Sequence, residues 1–256
     1  MIERRKLDEN SLDAFLGGKI FLYQPLNGYR ANIDSILLAA SVNARAGQSV
    51  LELGCGVGAV LFALMSRVHG LNTVGIERQE QYARLAIRNA AYNSFDVDIL
   101  ECDISSLPEK YKNLQYDHVI LNPPYFGSRK SMRLSQLDKD LAKRERTFVL
   151  DDWLDVAIKR CTTKGEVTII HQADRLAQIL KSFDKKLGDV RILPVSSFTG
   201  ERAKRVIVRG KKGSSSPLQL LTPLIMHEGF RSDKLNNNYT SYAEGILRKG
   251  FGISWK

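Results

Sequence analysis

Short apolar runs alternate along this chain with stretches in which apolar residues return every three or four positions. Val50–Leu53, Thr73–Ile76, Val97–Glu101 and Tyr116–Leu121 read as buried strands. Between them, Ala59–His69 and Gln79–Asn93 carry helical spacing, the second with Tyr82, Leu85, Ala86 and Asn89 at suitable steps. Further upstream, Asn32 is placed to cap a helix over Ile33–Val42, with Ile33, Ile36, Leu37 and Ala40 on one face. Ile20-Phe21-Leu22-Tyr23, between glycine turn signals, reads as a short strand or hairpin. In the second half, Asp151 and Asp152 suit the start of a helix over Trp153–Cys161, which Gly165 ends. Val167–Ile170 follows as a fifth strand, Ala173–Phe183 as a helix, and Val190–Val195 and Arg205–Val208 as two more strands. Gly210–Pro217 reads as a loop, and Tyr239–Lys256 as a helix and tail. Strands that alternate with helices imply an α/β fold, a mostly parallel sheet covered on both faces. No internal repeat is visible, and one domain over residues 46–256 with an amino-terminal extension over 1–45 is expected.

Composition narrows the setting. The 256 residues are 43% hydrophobic, enough for an ordinary core. Met1-Ile2-Glu3-Arg4-Arg5-Lys6 leads into polar sequence, so neither a signal peptide nor a membrane span is expected, and the chain reads as cytoplasmic. Cys55, Cys102 and Cys161 are scattered, as are His69, His118, His171 and His227, so no metal site is expected. The net charge of +10 favours a polyanionic partner. Two basic runs concentrate it: Arg129, Lys130, Arg133, Lys139, Lys143, Arg144 and Arg146, then Arg202, Lys204, Arg205, Arg209, Lys211 and Lys212. The plainer alternative is a soluble basic protein with no special partner. A neutralising surface near the chemistry is what a phosphate backbone requires.

Two strand-to-loop junctions carry the candidate chemistry, and ligands in open α/β sheets bind at such carboxyl ends. Gly54-x-Gly56-x-Gly58 follows the first apolar strand and opens a helix. Missing side chains let a ligand approach the backbone, and the helix start offers free N–H groups. The spacing departs from the dinucleotide fingerprint, which disfavours a pyrophosphate cofactor. Glu77 ends the next strand about 20 residues on, where an acid accepts hydrogen bonds from both ribose hydroxyls. Asp103, after the third strand, either accepts from an adenine amino group or caps a local turn around Ser105 and Ser106.

Asn122-Pro123-Pro124-Tyr125 ends the fourth strand. A conjugated exocyclic amine is a poor nucleophile because its lone pair is delocalised. The Asn122 side-chain oxygen and a backbone carbonyl of the turn can accept its two hydrogens and favour the pyramidal form. The prolines stiffen the turn and remove competing donors. Tyr125 offers a face on which a base can stack, a contact worth ~1–3 kcal/mol. Asn122, Pro123 and Tyr125 are thus the candidate catalytic residues, and both junctions together point to methyl transfer from S-adenosylmethionine.

The glycine junction, Glu77, Asp103 and Asn-Pro-Pro-Tyr resemble the class I S-adenosylmethionine-dependent methyltransferases, in their amino-methylating branch. Gly28–Ala40, Leu150–Leu154 and Ile170–Leu176 are similar to landmarks of the bacterial enzymes that methylate adenine in valine tRNA. The resemblance implies a Rossmann-like, seven-stranded, mostly parallel sheet with helices on both faces and a carboxyl-terminal antiparallel hairpin. It implies transfer to an adenine amine of tRNA in the anticodon loop. It assigns Gly54, Gly56 and Gly58 to the cofactor's amino-acid end, Glu77 to ribose and Asp103 to adenine, and puts Arg30 and Asp34 where the family closes over the methionine part. The extension over 1–45 then packs on the cofactor site. Arg129, Lys130, Arg133, Lys143 and Arg144 are the candidate phosphate contacts. Glu52 and Cys55 depart from the commonest form of the junction, and the part after Gly210 matches only a divergent branch. Three alternatives stay open: a guanine amine in ribosomal RNA, a protein glutamine amide, and a non-catalytic RNA-binding protein on the same fold.

Overall fold

A computed structural model describes residues 10–125, 149–229 and 238–255. Its centre is a mixed sheet built from apolar runs buried on both faces. β3 (Ser49–Leu53) pairs in parallel with β4 (Asn72–Glu77) on one side and with β6 (Tyr116–Leu121) on the other. β5 (Asp98–Glu101) extends the β4 edge, and β7 (Cys161–Gln172) follows β6, again in parallel. Strand order therefore reverses between β3 and β6, where both junctions emerge. β8 (Leu187–Ser196) and β9 (Arg205–Lys212) complete the order β8-β9-β7-β6-β3-β4-β5, with β9 antiparallel to both neighbours. These seven strands are the expected Rossmann-like sheet and its antiparallel hairpin. Two further two-residue strands, β10 (Gln219–Leu220) and β11 (Leu224–Ile225), lie parallel to β8.

The helices follow local rules. α1 (Ile33–Ser41) starts at Asn32, whose side chain accepts the Asp34 N–H at 2.8 Å. Eight of its nine residues are buried, as expected of a helix enclosed on all sides. α2 (Ala59–Met65) is buried throughout and packs against α1. α3 (Glu80–Tyr92), the single turn α4 (Glu109–Lys112), α5 (Leu150–Arg160) and α6 (Leu176–Phe183) complete the βα units. Asn89 of α3 ties three segments together. Its Oδ1 accepts the Tyr23 N–H, and its amide donates to the carbonyls of Tyr23 and Val57. α7 (Ser241–Lys249) is capped by Thr240 and leads to Trp255, whose indole N–H donates to the Ser41 carbonyl at 2.8 Å.

Several boundaries differ from the sequence expectation. β2 (Ile20–Pro25) pairs with a strand that was not expected, β1 (Asn10–Phe15). α2 stops at Met65, short of His69. Gly165 does not end a helix but lies within β7, where an added Cβ would sit 2.8 Å from the Asp117 carbonyl. β9 runs on through Gly210 to Lys212 where a loop was expected, because Gly210 lies under the side chains of Leu187 and Phe183. No helix among the described residues is long and apolar enough to cross a membrane, and no cluster suited to a metal ion occurs among them.

Candidate active site

A cavity of about 590 Å³ opens where strand order reverses. Its walls are the segment after β3, the carboxyl ends of β4 and β5, the turn after β6, and the start of α1. Gly54, Gly56, Glu77, Asp103, Asn122, Pro123, Tyr125 and Asp34 all line it.

The glycine junction is shaped by conformations that side chains disfavour. Gly54 and Gly56 have φ of +69° and +55°. A Cβ on Gly54 would sit 2.8 Å from the Trp153 ring. Gly58 does not line the cavity. It caps α2 with φ +89°, and a Cβ there would meet Phe62 at 2.2 Å. Glu77 braces the junction: Oε2 accepts the Gly56 N–H at 3.0 Å and Oε1 the Gln79 N–H at 2.8 Å. Asp103 does hold the local turn, its Oδ1 accepting from the Ser105 N–H and hydroxyl at 2.9 and 2.7 Å. Its Oδ2 faces Arg78 at 3.9 Å. Turn and cavity wall are therefore the same residue.

Glu52 was not singled out by the sequence as a site residue, yet it lines the cavity. It is 1% exposed and its Oε2 has no hydrogen-bond partner among the described residues. Burial pushes its carboxyl well above the usual range; the Leu61 N–H opposes this and the neighbouring Glu77 adds to it. Trp153 also lines the cavity from α5. A strand residue two positions before the first glycine was the available signal for Glu52; for Trp153, which arrives from a later helix, the only signal was the Leu150–Leu154 resemblance.

At the other end, Asn122 and Pro123 sit on the turn after β6, and the Asn122 side chain makes no hydrogen bond among the described residues. Tyr125 donates its hydroxyl to Asp34 Oδ2 at 2.9 Å. Arg205 Nε lies 2.5 Å from Asp34 Oδ1. The Tyr125 ring packs on His171, centroids 4.9 Å apart and planes at 57°. Burial and then the Asp34 charge push the Tyr125 phenol well above its usual range. Arg30 is turned away from the cavity. It pairs with Asp13 and donates to the Pro25 carbonyl, so it ties the β1–β2 hairpin to the segment before α1. Arg129, Lys130, Arg133, Lys143 and Arg144 lie outside the described residues.

A family model described as the methyltransferase small domain matches residues 29–193. The tRNA1(Val) (adenine(37)-N6)-methyltransferase of Pedobacter heparinus is 34% identical over 70% of this chain and 76% of that one. A protein of the same name from Actinobacillus pleuropneumoniae is 28% identical over 70% and 75%. Among solved structures, a predicted O-methyltransferase from Agrobacterium tumefaciens aligns with a TM-score of 0.68 at 24% identity, covering 86% of this chain and 98% of that one. That last likeness speaks for the fold alone.

Proposed function

The chain belongs to the methyltransferase small domain family of S-adenosylmethionine-dependent enzymes, and from that premise we propose that it methylates the exocyclic N6 amine of an adenine in the anticodon loop of tRNA. The observation that carries this is the meeting of two junctions on one cavity, Gly54 to Gly56 with Glu77 on one side and Asn122 to Tyr125 on the other. The names of the similar tRNA enzymes support the same substrate.

The residues present fit the cofactor. Its amino-acid end carries an ammonium, and Glu52 offers a buried carboxyl oxygen without a partner beside a backbone cradle that side chains would fill. Glu52, Gly54 and Gly56 would hold that end, Glu77 the ribose hydroxyls, and Asp103 the adenine amino group. Gly58 serves one step back, by letting α2 begin. When bound, S-adenosylmethionine supplies an electron-deficient methyl group on sulfur.

The chain's own residues then prepare the acceptor. Asn122 Oδ1 and the Pro123 carbonyl take the two amine hydrogens and localise the nitrogen lone pair. Tyr125 stacks on the base and fixes its plane. No strong base is required, because the nitrogen becomes acidic once alkylated and its proton passes to solvent. Rate therefore rests on positioning and electrostatics. An anticodon-loop base is already unpaired, so splaying it into the cavity costs little. Arg129, Lys130, Arg133, Lys143 and Arg144 are proposed to grip the phosphates. RNA affinity should then fall steeply with salt, with a log–log slope of roughly −0.7 per phosphate contact on a single strand; a flat response would remove the phosphate contacts.

The test is transfer from labelled S-adenosylmethionine to unmodified tRNA, ribosomal RNA and protein in parallel, with nucleoside analysis. N6-methyladenosine confined to tRNA is expected. Methylguanosine, or label in protein, would replace the substrate and keep the fold and cofactor.

A further inference from the structure

Tyr125 follows two prolines on a turn, and its side chain is fixed by residues from three other elements. Asp34 comes from the first turn of α1, Arg205 from the first residue of β9, and His171 from the end of β7. Asp34 is 1% exposed, and its two oxygens are divided: Oδ2 takes the Tyr125 hydroxyl at 2.9 Å and Oδ1 faces Arg205 Nε at 2.5 Å. Arg205 sets a counter-charge beside this buried carboxylate, and a carboxylate oxygen is a strong acceptor for a phenol. His171 packs on the ring at 4.9 Å. Tyr125 nevertheless lines the cavity and stays 36% exposed, so part of the ring is open to a ligand.

We propose that Asp34, charge-balanced by Arg205, is a positioning residue that locks the Tyr125 ring as a preset stacking surface for the target base. This rests on the reading that Tyr125 receives that base. A tyrosine free to rotate must be ordered when the base arrives, and that cost falls on substrate capture. A ring already fixed by its hydroxyl leaves only the stack to form. Arg205, part of the second basic run in the sequence, is thereby assigned to the Asp34 carboxylate. The Asp34 carboxylate acts on the acceptor side of the cavity and not on the methionine part.

A double-mutant cycle tests this, with wild type, Asp34→Asn, Tyr125→Phe and the double variant assayed on unmodified tRNA. Each single change should raise the KM for RNA about tenfold, while S-adenosylmethionine affinity, measured by calorimetry without RNA, stays within about twofold. The double variant should match either single one, because both remove the same contact. Multiplying effects would overturn the proposal. So would a loss of cofactor affinity in Asp34→Asn that Tyr125→Phe does not share, which would return the carboxylate to the cofactor. If Asp34→Asn does not fold, Arg205→Lys enters the cycle in its place. A substrate-free readout separates this from the proposed activity: ¹⁹F NMR of 3-fluorotyrosine-labelled protein, with the Tyr125 resonance identified by its loss in Tyr125→Phe. That resonance should shift and broaden in Asp34→Asn; an unchanged line would overturn the lock. If wild type methylates no RNA, the substrate reading and the base-presenting role fall together, and the NMR line alone decides whether Asp34 holds the ring.

Discussion

Replacing Glu77 with Ala should separate cofactor binding from chemistry. Both carboxylate oxygens are engaged within the protein, Oε2 by the Gly56 N–H at 3.0 Å and Oε1 by the Gln79 N–H at 2.8 Å. The residue is 8% exposed, so these charge-assisted bonds lie largely out of water, where each is worth about 1.5–3 kcal/mol. The substitution leaves two amides without their acceptor and loosens the junction over which the cofactor's amino-acid end would lie. Water reaching the open cavity replaces part of this, so the stability loss should be about 1–3 kcal/mol. Cofactor affinity suffers more, because the ribose acceptors vanish together with the brace. A loss of about 2–4 kcal/mol corresponds to a Kd raised roughly thirty- to a thousandfold. The turnover number at saturating S-adenosylmethionine should fall less than about threefold, since the amine is prepared by residues on the other junction. Calorimetric titration gives the Kd, urea unfolding the stability, and initial rates the turnover number. An Ala variant that folds and binds S-adenosylmethionine within about threefold of wild type would refute the assignment.

Asn122→Ala should show the reverse, with single-turnover transfer down about 10²–10³-fold and cofactor affinity within about twofold; retained full turnover would sink the account of the amine. Gly58→Ala combines a left-handed φ of +89° with a Cβ 2.2 Å from Phe62, itself fully buried and stacked on Phe95 at 5.5 Å. The cost should be about 2–5 kcal/mol, read by urea unfolding, and a loss below about 1 kcal/mol would contradict it. Glu52→Gln should stabilise the cofactor-free protein at neutral pH while weakening S-adenosylmethionine binding. The Glu52 carboxyl is held above its unfolded value of 4.5, chiefly by burial, so the folded state binds the extra proton. Its contribution is full below pH 4.5 and is lost as pH rises through the folded value. Unfolding curves from pH 5 to 8 should show wild type losing stability relative to Glu52→Gln as pH rises; parallel curves would contradict the shift.

The sheet was legible because its inner strands are apolar runs bounded by polar turns. β6 was expected over Tyr116–Leu121 and is found there, and β3 and β4 differ from expectation only by a residue at their ends. Expectation failed where a tertiary crossing, and not local preference, fixes the backbone. Gly165 reads as the end of a helix, and Lys164 beside it does have φ +70°, but the irregularity sits inside β7, where its register against β6 shifts. Gly210 reads as the start of a loop because nothing local announces the side chains that cross it. β1 gave no clear signal, since its six residues pair with β2 alone. At the site, Glu77 could be found by counting from one strand to the next. Trp153 could not, because its place follows from how α5 packs.

The same distinction governs the positive charge. The second basic run reads in the sequence as one cationic surface, yet the fold distributes it among unlike tasks. Arg205 faces the buried Asp34 carboxylate. Arg209 is 5% exposed, its guanidinium 4.3 Å over the Trp255 ring and 3.7 Å from Glu166. Lys212 donates to the carbonyls of Ile158 and Cys161 at the end of α5, neutralising the negative pole of that helix. Arg202 and Lys204 remain exposed. A cation already committed to a carboxylate, a ring or a helix end is not free to neutralise a phosphate, and so displaces no counterion from the RNA. The net charge of +10 therefore overstates what this region offers to a phosphate backbone. Strand alternation leaves Arg205, Arg209 and Lys211 on one face of β9 and Lys212 on the other, but Arg205 and Arg209 on that shared face already meet carboxylates. On that ground the first basic run, between Tyr125 and Val149, is the one we propose for the phosphate contacts.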